Sequence, residues 1–174
     1  RSSGTTAVLV THDQVEAMTM ADTLAVMRDG RFVQVGRPDT VYRKPVDAWT
    51  AQFLGDAVLI PGTRSATNLV TSALGEATLA TAFDHHDATD VVMFCRPEQL
   101  RPVTTGDGGV DAKVIAVRFQ GPDAMVTLSV DDHVVGARWP SSLLPEPGEV
   151  TRVELVGQVL AYSPEPVGTI PAPA

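Results

Sequence analysis

The chain has 174 residues, room for one domain or one small domain plus part of another. It is 44% apolar but only 5% aromatic, so its core leans on Val, Leu and Ala. A net charge of −8 and a pI near 4.8 argue against binding a nucleic-acid backbone, which rewards dense Lys and Arg. The single cysteine, Cys95, permits no disulfide within the chain, and its apolar setting, VVMFC, reads as that of a small buried hydrophobe. No apolar run approaches the roughly 18 residues that span a bilayer. Residues 1–6 are polar, so no signal peptide is visible.

Residues 5–10, TTAVLV, predict a short strand buried on both faces. Such a run belongs inside a sheet with neighbours on each side, and none is obvious nearby. Residues 13–22 predict a mostly apolar, buried helix, with Asp13 as its cap and Glu16 three residues on. Residues 23–27 read as a second strand. Asp29-Gly30 turns it into a hairpin with 31–35. Gly36-Arg37-Pro38 ends that strand, Pro38 suits the first turn of a helix over 39–43, and a further helix over 47–54 stops at Gly55. From Asp56 short β-type runs alternate with turn residues, near 57–60, 67–71, 77–82, 91–95, 110–119, 124–130, 133–138 and 150–156. Strands so short and evenly spaced predict a small barrel. Asp131-Asp132 and Gly121-Pro122-Asp123 read as its tight turns, 104–109 as a flexible loop, and 163–174 as a Pro-rich extended tail.

His12 stands at the mouth of the first predicted strand, beside Asp13 and Gln14. An imidazole donor there can hydrogen-bond the oxygen of an anionic ligand at a sheet edge. Alone, Thr-His-Asp is weak evidence, and a structural histidine beside a helix cap is the favoured reading. A phosphate-binding loop also needs a lysine after a glycine-rich turn. The only lysines, Lys44 and Lys113, follow Arg43 and Ala112.

The longer string is more specific. Thr11-His12-Asp13, Gln14-Val15-Glu16-Ala17 and Ala21-Asp22 are followed by Met27 to Gly30, Gln34 to Pro38 and Tyr42 to Pro45. Residues 5–55 thereby resemble, almost position by position, the switch-histidine segment of the importer class of ATP-binding cassette (ABC) ATPases. Residues 57–160 resemble, less specifically, the C-terminal TOBE barrel of that class, through VVMFCRPEQLRP (91–102) and KVIAVRFQGPDAMVTLSV (113–130). The resemblance implies an α+β chain: a C-terminal remnant of a P-loop nucleotide-binding domain over 1–55, built as strand, helix and strand hairpin, then an OB-like β-barrel over 56–162 and a flexible tail over 163–174.

By the same resemblance His12 would contact the γ-phosphate, and Asp13 and Gln14 would support the loop and a dimer interface. The parent subunit would use ATP and Mg2+ to couple hydrolysis to solute uptake, with transmembrane permease subunits, a solute-binding protein and a second copy as partners. It would lie in the cytoplasm, held at the inner face of the membrane through the permeases. The family's Walker A, signature and Walker B motifs are not in this sequence, so the chain alone is expected to be inactive and to need no cofactor. The strings Phe53-Leu54-Gly55-Asp56-Ala57 and Arg96 to Arg101 look most like ferric-iron importers, with polyamine, sugar and oxyanion importers as rivals. A non-catalytic ligand-binding or dimerisation module is the alternative.

Two further groups invite chemistry. Arg96, Glu98 and Arg101 read either as a regulatory anion site or as a solvated rim that orders a strand end. Asp84-His85-His86-Asp87 superficially resembles the Asp-His-His motif of a metallophosphoesterase family. Only His12 and His133 remain as further histidines, so a polar loop is the better reading and no metal is expected. Arg118 and Arg138 are expected on outer strand faces.

Overall fold

The computed structural model describes residues 6–80, 89–104 and 108–164. The predicted Asp84–Asp87 loop, the middle of the 104–109 loop and residues 165–174 of the tail lie outside the described residues. The chain divides into two compact units, Arg1–Gly55 and Asp56–Ala174.

The first unit begins with a correction. Residues 6–10 form no strand, and Val8 and Val10 are 88% and 91% exposed. A strand buried on both faces exists only between hydrogen-bonded neighbours, and among the described residues none pairs with this run. Helix α1 (Gln14–Met20) follows, capped by Asp13, whose Oδ1 accepts from the Glu16 N–H at 2.9 Å. It is shorter than the 13–22 expected, and none of its residues is buried, against the expectation of a buried helix. Strands β1 (Leu24–Arg28) and β2 (Arg31–Gly36) form the predicted antiparallel hairpin. Asp29 and Gly30 at its tip take φ of 51° and 75°, the left-handed pair that matches strand twist.

Helices α2 (Pro38–Arg43) and α3 (Ala48–Phe53) close over one face of the hairpin. Their small core is Val26, Val41 and Leu54, flanked by Leu24, Val33, Tyr42 and Trp49. Gly36 lies so close to α2 that a Cβ would meet Val41 Cγ2 at 3.2 Å. Asp47 caps α3 through the Thr50 N–H at 2.7 Å. The Trp49 ring stacks on Phe53 at 4.9 Å and carries the Arg28 guanidinium at 4.8 Å.

The second unit is an OB-like barrel of two antiparallel five-stranded sheets around one core. One sheet runs β10-β9-β8-β11-β7 and the other β12-β6-β3-β4-β5. The strands are β3 (Val58–Ala66), β4 (Leu69–Ser72), β5 (Gly75–Thr78), β6 (Asp90–Cys95), β7 (Leu100–Pro102), β8 (Val110–Phe119), β9 (Asp123–Val130), β10 (His133–Pro140), β11 (Val150–Leu155) and β12 (Leu160–Tyr162). Alternation places Ile60, Val70 and Met93 of one sheet against Val114, Leu128 and Trp139 of the other. Both predicted hairpin turns form, with Val130 opposite His133 and Phe119 opposite Ala124.

Two contacts draw the sheet ends together. A parallel bridge joins Leu79 to Val159, with the Val159 N–H donating to Thr78 O at 3.0 Å and the Ala80 N–H to Val159 O at 2.8 Å. In the other sheet the buried Trp139 Nε1 donates to Leu100 O at 2.7 Å. Gly109 closes the entry to β8 at φ 79°, with Val153 O only 2.6 Å from where a Cβ would sit, so no other residue fits there.

Candidate functional site

The first candidate lies around His12. His12 is exposed, placed between residues 6–10 and the first turn of α1. Asp13 spends one carboxylate oxygen on capping α1, and its own N–H donates to Thr11 Oγ1 at 3.0 Å. Gln14 is the first helical residue and is half-buried. The three therefore form one tight turn in which backbone and cap leave the imidazole facing solvent. Such an imidazole can donate to or accept from an incoming oxygen atom.

ATP with Mg2+ does not fit the residues present as a bound cofactor. One exposed imidazole supplies a single contact, and neither Lys44 nor Lys113 follows a glycine-rich turn that could cradle phosphates.

The hairpin beyond is held by a residue to which sequence reasoning gave no role. Gln34 Nε2 donates to Lys44 O at 2.9 Å, and its Oε1 accepts from the Val46 N–H at 2.9 Å. One side-chain amide thus pairs both backbone groups that flank Pro45. A proline has no N–H and restricts its neighbours, so a loop of this kind needs partners from elsewhere. Nothing local to Gln34 in the sequence announces this clamp, because the groups it pairs lie 10 and 12 positions away.

The second candidate is the Arg96–Arg101 corner. Arg96 is 3% exposed, donates from Nη1 to Asp56 O at 2.9 Å and lies over the Phe94 ring at 4.9 Å. Glu98 and Arg101 are exposed, the first on the 3-10 turn Pro97–Gln99, the second on β7 opposite Glu154. The structure brings the three into one corner of chain but gives them different surroundings: a packed cation, a solvated acid and a solvated strand residue. Gln99 is the knot of this corner. Its Oε1 accepts from the Arg96 N–H at 2.9 Å, and its Nε2 donates to Val156 O at 3.1 Å and Gln158 O at 2.9 Å.

Arg118 is exposed, whereas Arg138 bridges Asp56 at 3.2 Å and Asp123 at 3.5 Å. At this exposure the pairing is worth under about 1 kcal/mol. Among the described residues no group of three or more His, Cys, Asp and Glu could hold a metal ion.

Cys95 is fully buried, and that burial pushes its thiol up to about 12 from an ordinary 9.0, with Glu98 adding to the shift and Arg96 opposing it. The folded barrel therefore holds the neutral thiol, while the unfolded chain releases its proton from about 9.0 upward. The resulting stability is intact below about 9.0 and is lost as pH rises towards about 12. Alkaline denaturation should show this fall, and a Cys95→Ala variant should lose that part of the slope. In the native protein at neutral pH the thiol should react with a maleimide only as fast as the barrel opens.

No protein-family model matches the chain. Curated relatives do. The Fe(3+) ions import ATP-binding protein FbpC 2 of Rhodococcus jostii is 36% identical over 164 residues, covering 90% of this chain and 46% of the relative. The spermidine/putrescine import ATP-binding protein PotA of Borreliella afzelii is 36% identical over 132 residues, covering 75% of this chain and 37% of the relative. Among solved structures, the cytoplasmic molybdate-binding protein ModG superimposes with a TM-score of 0.50 at 14% identity, over 62% of this chain and 96% of its own. At that identity the likeness concerns the fold alone. The chain is homologous to the ATP-binding subunits of ABC importers over 90% of its length, and the fold of its second unit is that of a TOBE-like barrel. It spans about half the length of the curated relatives it matches.

Proposed function

We propose that this chain serves as the C-terminal part of the ATP-hydrolysing subunit of an ABC importer, with ferric iron as the imported solute. The observation that carries the reading is the extent of the likeness: it runs through both units, over 90% of the chain, to proteins named for Fe(3+) import. Sulfoquinovosyl glycerol and spermidine/putrescine importers also match, so the solute is the finer part of the proposal.

In this reading His12 reaches the γ-phosphate of ATP held by the rest of the subunit. An imidazole placed there stabilises charge on the phosphoryl oxygens and signals whether the γ-phosphate is present. Asp13 holds the turn that aims it, and Gln14 supports the loop. The barrel provides regulation and contacts to a second copy, and permease subunits and a solute-binding protein complete the importer at the inner face of the membrane. Residues 1–55 are read as the nucleotide-binding-domain segment, 56–162 as the barrel and 163–174 as a tail.

The test is ATP turnover by a full-length subunit that carries these residues. His12→Ala should lower it by roughly two orders of magnitude without altering the fold. Near-normal turnover would refute the switch role. Uptake of labelled ferric iron against labelled spermidine in the assembled importer decides the solute. A second reading is a non-catalytic small-ligand-binding or dimerisation module, resting on the barrel as the larger of the two units. It is retained if the chain neither binds nor hydrolyses ATP on its own and the full-length subunit is indifferent to His12.

A further inference from the structure

The chain leaves one core and enters the next over a very short link. Leu54 is buried in the core of the first unit, and Val58 is buried in the core of the barrel. Between them stand Gly55, Asp56 and Ala57. The first unit holds its end of this link through the Leu54 N–H, which donates to Thr50 O at 3.1 Å, and the Gly55 N–H, which donates to Gln52 O at 3.4 Å. The barrel holds its end at Asp56, with two arginines. Arg96 Nη1 donates to Asp56 O at 2.9 Å, and Arg138 Nη2 donates to Asp56 Oδ2 at 3.2 Å. The main chain and the side chain of one residue are thus both tied to the barrel.

Each arginine is itself held before it reaches Asp56. Arg96 is buried and lies over the Phe94 ring at 4.9 Å, and its own backbone N–H donates to Gln99 Oε1 at 2.9 Å. Arg138 stands on β10 and donates from Nη1 to Asp123 Oδ2 at 3.5 Å, at the start of β9. A planar guanidinium fixed in this way loses little freedom on making a further bond. The two arms differ in surroundings. The Arg138 and Asp56 side chains are 37% and 55% exposed, so solvent screens that arm and Arg96 is the stronger one.

Two ties on Asp56 fix its ψ, and its side chain leaves φ a narrow range. Gly55 has no Cβ to restrict it and stands at φ 142°, where other residues rarely go. We propose that Arg96 and Arg138 clamp Asp56, so that the rigid body of the barrel starts at that residue and turning of one unit against the other is confined to the torsions of Gly55. The cation expected to meet an external anion is thus engaged by a carbonyl oxygen of its own chain. On the functional reading above, whatever the barrel senses reaches the nucleotide-binding segment through this one joint.

Backbone 15N relaxation of the full 174-residue chain tests the clamp residue by residue. Order parameters of about 0.85 are expected at Asp56 and Ala57, as in β3, with a fall below about 0.6 at Gly55. Arg96→Met should bring residues 56 and 57 below about 0.6 as well. Asp56→Ala removes the exposed arm without touching the barrel core, and should lower order at residues 56 and 57 by a smaller step. It decides the matter if the Arg96 variant fails to fold. A wild-type profile without a step at Gly55, or with the step beyond Ala57, overturns the proposal. So does unchanged order at residues 56 and 57 in either folded variant. The readout is independent of ATP. A full-length subunit indifferent to His12→Ala would refute the functional reading and leave the clamp standing.

Discussion

Trp139→Ala is expected to cost the barrel about 3–5 kcal/mol, a large share of the ~5–15 kcal/mol that holds a typical domain together. Trp139 is 1% exposed on β10 and fills the space between the two sheets. Its loss leaves a cavity that the surrounding β-strands cannot collapse to fill. It also strands Leu100 O, which accepts the indole N–H at 2.7 Å. Trp139→Phe separates the two contributions, since it keeps much of the volume and removes the donor. That change should cost about 1–3 kcal/mol by itself. Urea denaturation of both variants measures the pair. If Trp139→Phe proves as damaging as Trp139→Ala, closure by the hydrogen bond outweighs packing. If Trp139→Ala costs less than about 1 kcal/mol, the description of this core is wrong.

Gln99→Glu is the second large effect, although it changes almost no volume. Both Nε2 protons point at carbonyls, Val156 O and Gln158 O. A carboxylate offers no donor and sets a negative charge against those two acceptors. A loss of about 2–4 kcal/mol is expected, from two hydrogen bonds removed and a charge left facing carbonyl oxygens. Gln99→Met should be milder, because it removes the bonds without adding charge. Hydrogen exchange should show residues 156–158 opening first in the Glu variant, since Gln99 ties down Val156 and Gln158. An unchanged exchange pattern there would refute the role given to Gln99.

Much of the barrel is legible from local chemistry. The strand at 110–119 is found where alternation places it, and the turns at Asp29-Gly30 and Asp131-Asp132 are found where residues tolerant of positive φ stand between β-type runs. The two three-residue strands, Leu100–Pro102 and Leu160–Tyr162, were not legible. Nothing in three residues announces a strand. Both exist because distant partners pair with them, Leu155 opposite Leu100 and Phe94 opposite Leu160. Residues 5–10 are the opposite case, with strong local propensity and no ladder to join. Propensity states what a segment suits, and the neighbours decide what it becomes.

The same split runs through the candidate sites. His12 is visible in sequence because its string of neighbours is distinctive. The setting of Arg96 is not, because Asp56 O lies 40 positions away and Phe94 meets the guanidinium only once β6 is formed. Gln34 and Gln99 are similar. Each is an ordinary polar residue until a loop from elsewhere presents unpaired backbone groups to it.

The bridge between Leu79 and Val159 carries a consequence for the order of assembly. It joins residues about 80 positions apart, and β12 adds to β6 across a similar distance. A ribosome releases β3 to β6 long before either partner exists. Until residue 162 has emerged, the nascent sheet exposes open edges at β6 and at the end of β5. High contact order of this kind slows folding and lengthens the time during which such edges can capture another chain. Barrel formation should therefore wait until β12 has emerged, and yield in the cell should depend on chaperone supply more than native stability would suggest.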